Sequence, residues 1–388
     1  MARNIITGID IGTYTVKVVI AEHVRGKDKN FPQIIGTGMS ESKGMRHGYI
    51  VGTQDVRKSI RAALSQAEKM AGVKVKAAYV AFGGVGLDEV HAKGEVIISR
   101  ADLEVVDLDI KKALEDSVEK AAQKVINRKI IHEIPLGFRL DGTRVLGRPV
   151  GMHGSKLEAD VLFITALEQH LQDLIHCVED AGVEVIDVMA SPIAAGLVSL
   201  TKAQKKAGCV LANIGSETVS IVVFEDSIPV SLKVFPIGST DITNDIALGL
   251  KVSLDEAEQI KRGALTSTPV SKKKLDDIID ARLKDIFELV DKHLQSIGKN
   301  GLLPAGIIIT GGGSGATSIE DLAKAALRLP SQIAATRTLG KTKIKDASWA
   351  VAYGLTIWGL TADEEPAGLQ LTRSAGGKFL SLLKQFLP

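Results

Sequence analysis

Apolar residues come in short β-branched runs over residues 5–23 and 33–38, which predicts strands. Their spacing turns helical from Arg57 to Met70 and returns to a continuous apolar run at Ala77 to Phe82. That order predicts one α/β unit. Between Gly83 and Asp160 the pattern changes to a strand around Gly94 to Ser99, a helix from Asp109 to Val125, and a hairpin turning at Asp141-Gly142. A small inserted domain is expected there. The first unit then resumes with a strand at Val161 to Thr165, a helix to Asp180, a strand at Val183 to Met189 and a small-residue helix after Pro192.

The second half begins at Cys209 and repeats the first: Asp10 to Ile20 return in register as Asn213 to Val223, polar turn over polar turn and apolar strand over apolar strand. Each copy reads as a strand, a tight turn at Gly12 or Gly215, and a second β-branched strand. Glycine permits close approach to a ligand, successive backbone N–H groups can form an anion nest, and Thr13, Thr15, Ser216 and Thr218 add hydroxyl donors. One such hairpin is ordinary sheet architecture, but duplication in register favours two loops clamping one polyphosphate. Helical sequence follows from Ile242 to about Ser296, with Ile278, Ile279, Leu283, Ile286, Leu289 and Val290 on one face. A strand at Ala305 to Thr310 runs into Gly311-Gly-Gly-Ser314, and Ser318 is a candidate cap for a helix to Leu329. The last long helix, Ala347 to Leu360, is rich in Ala and Gly, which permits close helix approach and suits a hinge between two lobes.

At 388 residues and 45% apolar content the chain has room for several domains and needs no disulfide staples. Its two cysteines, Cys177 and Cys209, lie far apart in apolar sequence and are expected as buried thiols in a reducing, cytosolic setting. No leader peptide and no run of transmembrane length is expected. A net charge of +2 with interspersed signs, and few aromatic residues, argue against nucleic acid. The histidines, including His132, His153, His170 and His176, show no metal spacing and are expected on the surface or as satisfied core groups.

The two hairpins, the strand ending in a triple-glycine turn and the two small-residue helices resemble, in this order, the actin, hexokinase and heat-shock-chaperone ATPase superfamily. The resemblance implies an α/β, actin-like (ribonuclease H-like duplicated) two-lobed ATPase fold with inserted small subdomains. It also implies ATP and Mg²⁺ as ligands. Asp10 would position the metal through water. Gly12, Thr13, Tyr14, Thr15 and Lys17 would form the first phosphate loop, and Gly215, Ser216, Glu217 and Thr218 the second. Gly312, Gly313 and Ser314 would face the nucleoside, with Glu258 and Lys261 at ribose and base, although their spacing alone describes a helix ion pair.

Within the superfamily, the segment Gly44 to Val51 and the position of the inserted domain resemble the FtsA family of bacterial cell-division proteins. That likeness implies a large first-lobe subdomain at 1–83, continued at 161–206 and 347–362, with a small subdomain inserted at 84–160. The second lobe would comprise 207–241 and 300–346, with its small subdomain at 242–299. A linker at 363–376 and an amphipathic helix at 377–388 complete the map. In that helix Phe379, Leu382, Leu383 and Phe386 share a face widened by Leu380 and Leu387, and Lys378 and Lys384 lie opposite. Such a face suits either docking on the protein's own core or burial among anionic headgroups, and the Gly376-Gly377 spacer favours the membrane.

The family likeness implies a filament-forming adaptor that tethers the tubulin homologue FtsZ to the inner face of the plasma membrane at the division site, among other divisome proteins. Arg262, Arg282 and Lys284 are candidates for its acidic tail peptide, or ordinary surface pairs. Asn213 and Ser191 stand where many relatives carry carboxylates, so ATP turnover is expected to be weak at most, and no catalytic residue is assigned. The competing readings are a pilus-assembly protein of the PilM type and a metabolite kinase.

Overall fold

The computed structural model describes residues 4–23, 32–264, 270–335, 338–339, 342–343 and 346–362. The expected terminal helix, with Lys378, Phe379, Leu380, Leu382, Leu383, Lys384, Phe386 and Leu387, therefore lies outside the described residues, as does the linker before it. The chain opens with β1 (Ile5–Ile11), β2 (Thr15–His23) and β3 (Pro32–Glu41). A two-rung hairpin, β4 (Met45–Arg46) and β5 (Tyr49–Ile50), precedes α1 (Thr53–Ala71) and β6 (Ala77–Phe82). An inserted unit follows: β7 (Leu87–Ile97), α2 (Asp107–Ala122), β8 (Arg128–Leu140), β9 (Thr143–Val145) and β10 (Lys156–Leu167). The first lobe resumes with α3 (Glu168–Glu179), β11 (Glu184–Ala190), α4 (Ser191–Ser199) and α5 (Lys202–Ala207). The second lobe holds β12 (Cys209–Ile214), β13 (Val219–Glu225), β14 (Ile228–Phe235), α6 (Ser239–Leu250), α7 (Leu254–Lys261) and α8 (Lys272–Ser296). It continues through β15 (Ile307–Thr310), α9 (Ile319–Leu327) and β16 (Ser331–Ile333), and α10 (Ala350–Ala362) returns to the first lobe.

The repeat seen in the sequence is a repeat of topology. The first sheet has the order β11-β6-β1-β2-β3 and the second β14-β13-β12-β15-β16, which is the same order read from the other edge. In both, the first three strands in sequence are antiparallel neighbours and the next two join in parallel. Asp10 and Asn213 occupy equivalent positions, paired with Lys17 and Ser220 across their hairpins and with Ala81 and Thr310 on the parallel side.

Helices α4 and α10 lie between the two sheets and meet backbone to backbone. A Cβ on Gly354 would strike the carbonyl oxygen of Ala194, and one on Gly8 would strike that of Ala352, so glycine fixes both the helix crossing and the seat of α10 on β1. On the far side of the second sheet, α8 buries Leu283, Ile286, Phe287, Val290 and Leu294 in a core shared with Ile242, Ile246 and Ile260.

The inserted unit is a four-stranded antiparallel sheet, β7-β10-β8-β9, covered by α2. Its hairpin turns at Asp141-Gly142 as expected, both residues having positive φ. β10 extends well beyond the expected 161–165 and pairs with β7 and β8 along its length. Its alternation serves two cores: Leu157, Ala159, Val161 and Phe163 face the insert, whereas Leu162, Ile164 and Ala166 enter the core of the first lobe.

Ser318 does stand at the N-cap position of α9, but it makes no cap bond. Its backbone is already helical, at φ −87 and ψ −3, rather than extended as a cap that accepts from the first turn requires, and its hydroxyl donates to Asp280 of α8 at 2.6 Å.

Candidate functional site

The two hairpin turns close in the same way. The N–H of Gly12 donates to the carbonyl of Thr15 at 3.1 Å, and that of Gly215 to the carbonyl of Thr218 at 2.8 Å. A Cβ on either glycine would sit 2.9 Å from the same accepting oxygen, so the narrow turn excludes larger residues. Thr13 and Thr15 in the first turn, and Ser216 and Thr218 in the second, are partly exposed and carry hydroxyl donors. The start of α6 braces the second turn, with the Ser239 and Thr240 amides donating to Gly215 and Ser216 carbonyls at 2.9 and 2.7 Å.

Asp10 lies half-buried at the end of β1. Burial pushes its carboxyl up to about 6, against the pull of the nearby Lys17 ammonium, itself buried. A carboxylate that is costly to ionise, next to the donor-rich first turn, is the chemistry that a divalent cation with a polyphosphate would relieve. The donor set therefore fits Mg²⁺ with a nucleoside polyphosphate.

Glu258 and Lys261 form the helix pair that their spacing suggested, at 2.7 Å, but both also point inward. Glu258 accepts from Thr243 at 2.6 Å, and Lys261 donates to Thr243 and to the Ser239 carbonyl next to the second turn. Burial would raise the Glu258 carboxyl, yet the Lys261 and Thr243 contacts outweigh it and hold it below its ordinary value.

The glycine turn folds back on the second hairpin. Gly313 donates to the carbonyl of Ile214 at 2.9 Å, and a Cβ on Gly311, at φ +91, would collide with the side-chain oxygen of Asn213. Ser314 is buried and its hydroxyl donates to Gly311, whereas Gly312 is exposed. Asn213 thus stands against the glycine turn, and Ser191 lies against Gly83 at the start of α4.

Among the partner candidates, Arg282 is held by Asp245 through two hydrogen bonds of 2.7 and 2.9 Å and by Asp285 at 3.3 Å, while Lys284 is exposed. Arg262 turns to the first hairpin: its Nη2 donates to the Tyr14 hydroxyl at 2.9 Å, and its guanidinium lies over the Tyr14 ring at 5.5 Å from the centroid.

Sequence reasoning missed His47. It sits at the tip of the β4–β5 hairpin with φ 49, donates its backbone N–H to Glu217 Oε2 at 2.5 Å, and places its ring Nδ1 3.1 Å from the Glu217 carbonyl. The only available signal was the Gly44 to Val51 segment itself, read as a family signature with no contact attached.

Cys177, Cys209 and His132 follow expectation, whereas Nδ1 of His170 is buried without a hydrogen-bond partner among the described residues. Cys177 and Cys209 are buried free thiols, Cys209 pushed up to about 12 by burial. His132 is a buried core histidine whose Nε2 accepts from the Ala190 amide at 2.9 Å. Among the described residues no cluster of metal-ligating side chains occurs, and no helix is long and apolar enough to cross a membrane.

Solved structures share this architecture. A PilM-PilN type IV pilus biogenesis complex chain superposes with a TM-score of 0.68 at 18% identity, covering 93% of this chain and 99% of that one. MreB5 of Spiroplasma citri bound to ADP gives 0.53 at 13% identity, covering 95% and 99%. The duplicated sheets and paired turns define an actin-like fold.

Two family models match, "Cell division protein FtsA" over residues 210–354 and "SHS2 domain inserted in FTSA" over residues 85–165. The cell division protein FtsA of Bacillus subtilis is 31% identical over 91% of this chain and 83% of its own length. That of Borreliella burgdorferi is 30% identical over 92% and 91%. The chain belongs to the FtsA family of cell division proteins.

Proposed function

We propose that this protein binds ATP with Mg²⁺ between its lobes and, as a filament, tethers FtsZ to the inner face of the cytoplasmic membrane at the division site. The observation that carries the nucleotide reading is the pair of equivalent hairpin turns, one on each lobe's sheet, each closed by the same glycine N–H bond. Their hydroxyls and amides would hold the phosphates, Asp10 would hold the metal through water, and the Glu258–Lys261 region with Gly312 would meet the nucleoside. Mg²⁺ would offset charge on the phosphates when bound.

Turnover is expected to be slow. Asn213 is an uncharged amide and Ser191 a hydroxyl, so neither can act as a carboxylate to orient water. Membrane attachment rests on the amphipathic pattern of residues 377–388, and polymerisation would multiply weak single anchors. Head-to-tail contacts that do not close into a ring would give the filament. Lys284, exposed on α8, is the candidate best placed to receive an acidic FtsZ peptide, because Arg262 and Arg282 are engaged within the chain.

Calorimetry with Mg-ATP tests the nucleotide site, and absence of affinity in the full chain would sink the reading. Sedimentation with anionic vesicles tests the tether: the full chain is expected to pellet and a chain lacking 377–388 to stay in solution. Equal pelleting of both would count against the anchor. Rapid steady-state phosphate release would refute slow turnover.

A further inference from the structure

Each phosphate hairpin is gripped at its tip by the opposite lobe. The β4–β5 hairpin of the first lobe reaches Glu217 in the second turn through His47, and Arg262, just past α7 in the second lobe, reaches Tyr14 in the first turn. These contacts span 170 and 248 residues of sequence, and both cross between the lobes.

The His47 arm is firmly mounted on the first lobe. The backbones of Gly48 and Gly84, at φ 84 and 88, touch so closely that a Cβ on either would collide with the other. The His47 carbonyl accepts from Val85 at 3.2 Å, and the Tyr49 ring stacks on His170 of α3 with centroids 3.9 Å apart. His47 itself adopts a left-handed backbone, which orients its N–H toward Glu217.

Glu217 is an odd residue for a phosphate cradle. An ionised carboxylate can only accept hydrogen bonds, and its charge repels a polyphosphate. Here its Oε2 takes the His47 amide and lies 4.0 Å from the His47 ring nitrogen, so the charge serves the contact between lobes. Tyr14 likewise uses its hydroxyl as acceptor for Arg262, which Glu258 steadies at 2.8 Å.

We propose that His47–Glu217 and Arg262–Tyr14 form a reciprocal clasp that holds the two phosphate hairpins at their closed spacing, with His47 and Arg262 as positioning residues for the nucleotide. The inference rests on the nucleotide reading given above. Opening the lobes breaks both contacts, and a ligand that bridges the turns is favoured in the closed form, so clasp and nucleotide stabilise the same state.

The sign of a single substitution distinguishes this role from direct phosphate contact. If Glu217 were only a negative neighbour of the phosphates, removing its charge would tighten Mg-ATP binding. As a clasp residue, Glu217→Ala loses the acceptor and weakens Mg-ATP binding roughly tenfold, as expected of one hydrogen bond to a charged group. Glu217→Gln keeps an acceptor without the repulsion and binds at least as tightly as wild type. On the other arm, Tyr14→Phe removes the hydroxyl acceptor, keeps the ring, and weakens binding severalfold.

Amide hydrogen exchange on the nucleotide-free full chain tests the clasp itself. Exchange over residues 44–50 is expected to rise in Glu217→Ala and not in Glu217→Gln. Equal exchange in wild type and Glu217→Ala overturns the clasp, as does Mg-ATP binding in both Glu217→Ala and Tyr14→Phe that is as tight as in wild type. No Mg-ATP affinity in wild type overturns the nucleotide reading instead, and the exchange result keeps the two failures apart.

Discussion

Asp10 carries the clearest electrostatic signature of the candidate site. With its carboxyl raised from 3.8 to about 6, the nucleotide-free fold holds this proton to a higher pH than the unfolded chain does. Its contribution to stability is fully present below pH 3.8 and is lost as pH rises through about 6. A cation reverses that preference, so Mg-ATP affinity should weaken by up to about tenfold per unit as pH falls below about 6, with proton release detectable by calorimetry in buffers of different ionisation enthalpy. Asp10→Asn should leave the nucleotide-free protein as stable or more stable at pH 8 while removing the Mg²⁺ dependence of ATP binding. Glu89, on β7 of the insert, makes a second test at this scale. Its carboxylate accepts the Leu232 amide at 2.5 Å and the Ser231 hydroxyl at 2.9 Å, and the same hydroxyl lies 2.8 Å from Nε2 of His293. Burial raises the Glu89 carboxyl, with Asp88 adding to the rise and the Leu232 and Ser231 bonds and His91 opposing it. Glu89→Ala leaves those donors without their acceptor and is expected to cost about 1–3 kcal/mol by denaturant midpoint. Glu89→Gln should cost far less, and it should gain on wild type as pH rises through the raised Glu89 value.

At the scale of elements, the seam between α4 and α10 has no room to spare. Gly354→Leu would drive a side chain into the backbone at Ala194, with an expected loss of about 1–3 kcal/mol, read from the denaturant midpoint with the slope unchanged. The small-residue composition of both helices announced this seam in the sequence, and the paired hairpins were legible for a similar reason: strand alternation and turn glycines are local signals, and here they occur twice. Less of the rest was local. α1 begins at Thr53, four residues before Arg57, because its first turn, Thr53-Gln54-Asp55, is polar and carries no apolar period. β7 begins at Leu87, ahead of the expected Gly94, because its first half carries the polar residues Asp88, Glu89 and His91, which mask the apolar pattern. Ser318 has the residue type of a cap, but its helical backbone there and the Asp280 acceptor on α8 are set by the fold. Tyr14 and Glu217 read as phosphate-loop residues, Arg262 as a partner candidate and His47 as one position of the Gly44 to Val51 segment; that they pair across the lobes is invisible in the sequence, since nothing in local spacing reports which lobe will lie opposite.

For the whole molecule, a ligand seated between the lobes should stabilise the folded chain by mass action, by about 2.7 kcal/mol at a hundredfold excess over Kd. Thermal unfolding with and without Mg-ATP measures it, and an unchanged transition at saturating nucleotide would contradict binding between the lobes. The insert is attached to both lobes. No flexible tether joins β10 to the first lobe: alternate side chains of this one strand are buried on either side of it. Glu89 and the Asp88–Lys233 pair, at 3.2 Å, fasten the neighbouring strand β7 to β14 of the second lobe. Seated on one lobe and fastened to the other, the insert cannot shift without straining one of these two attachments.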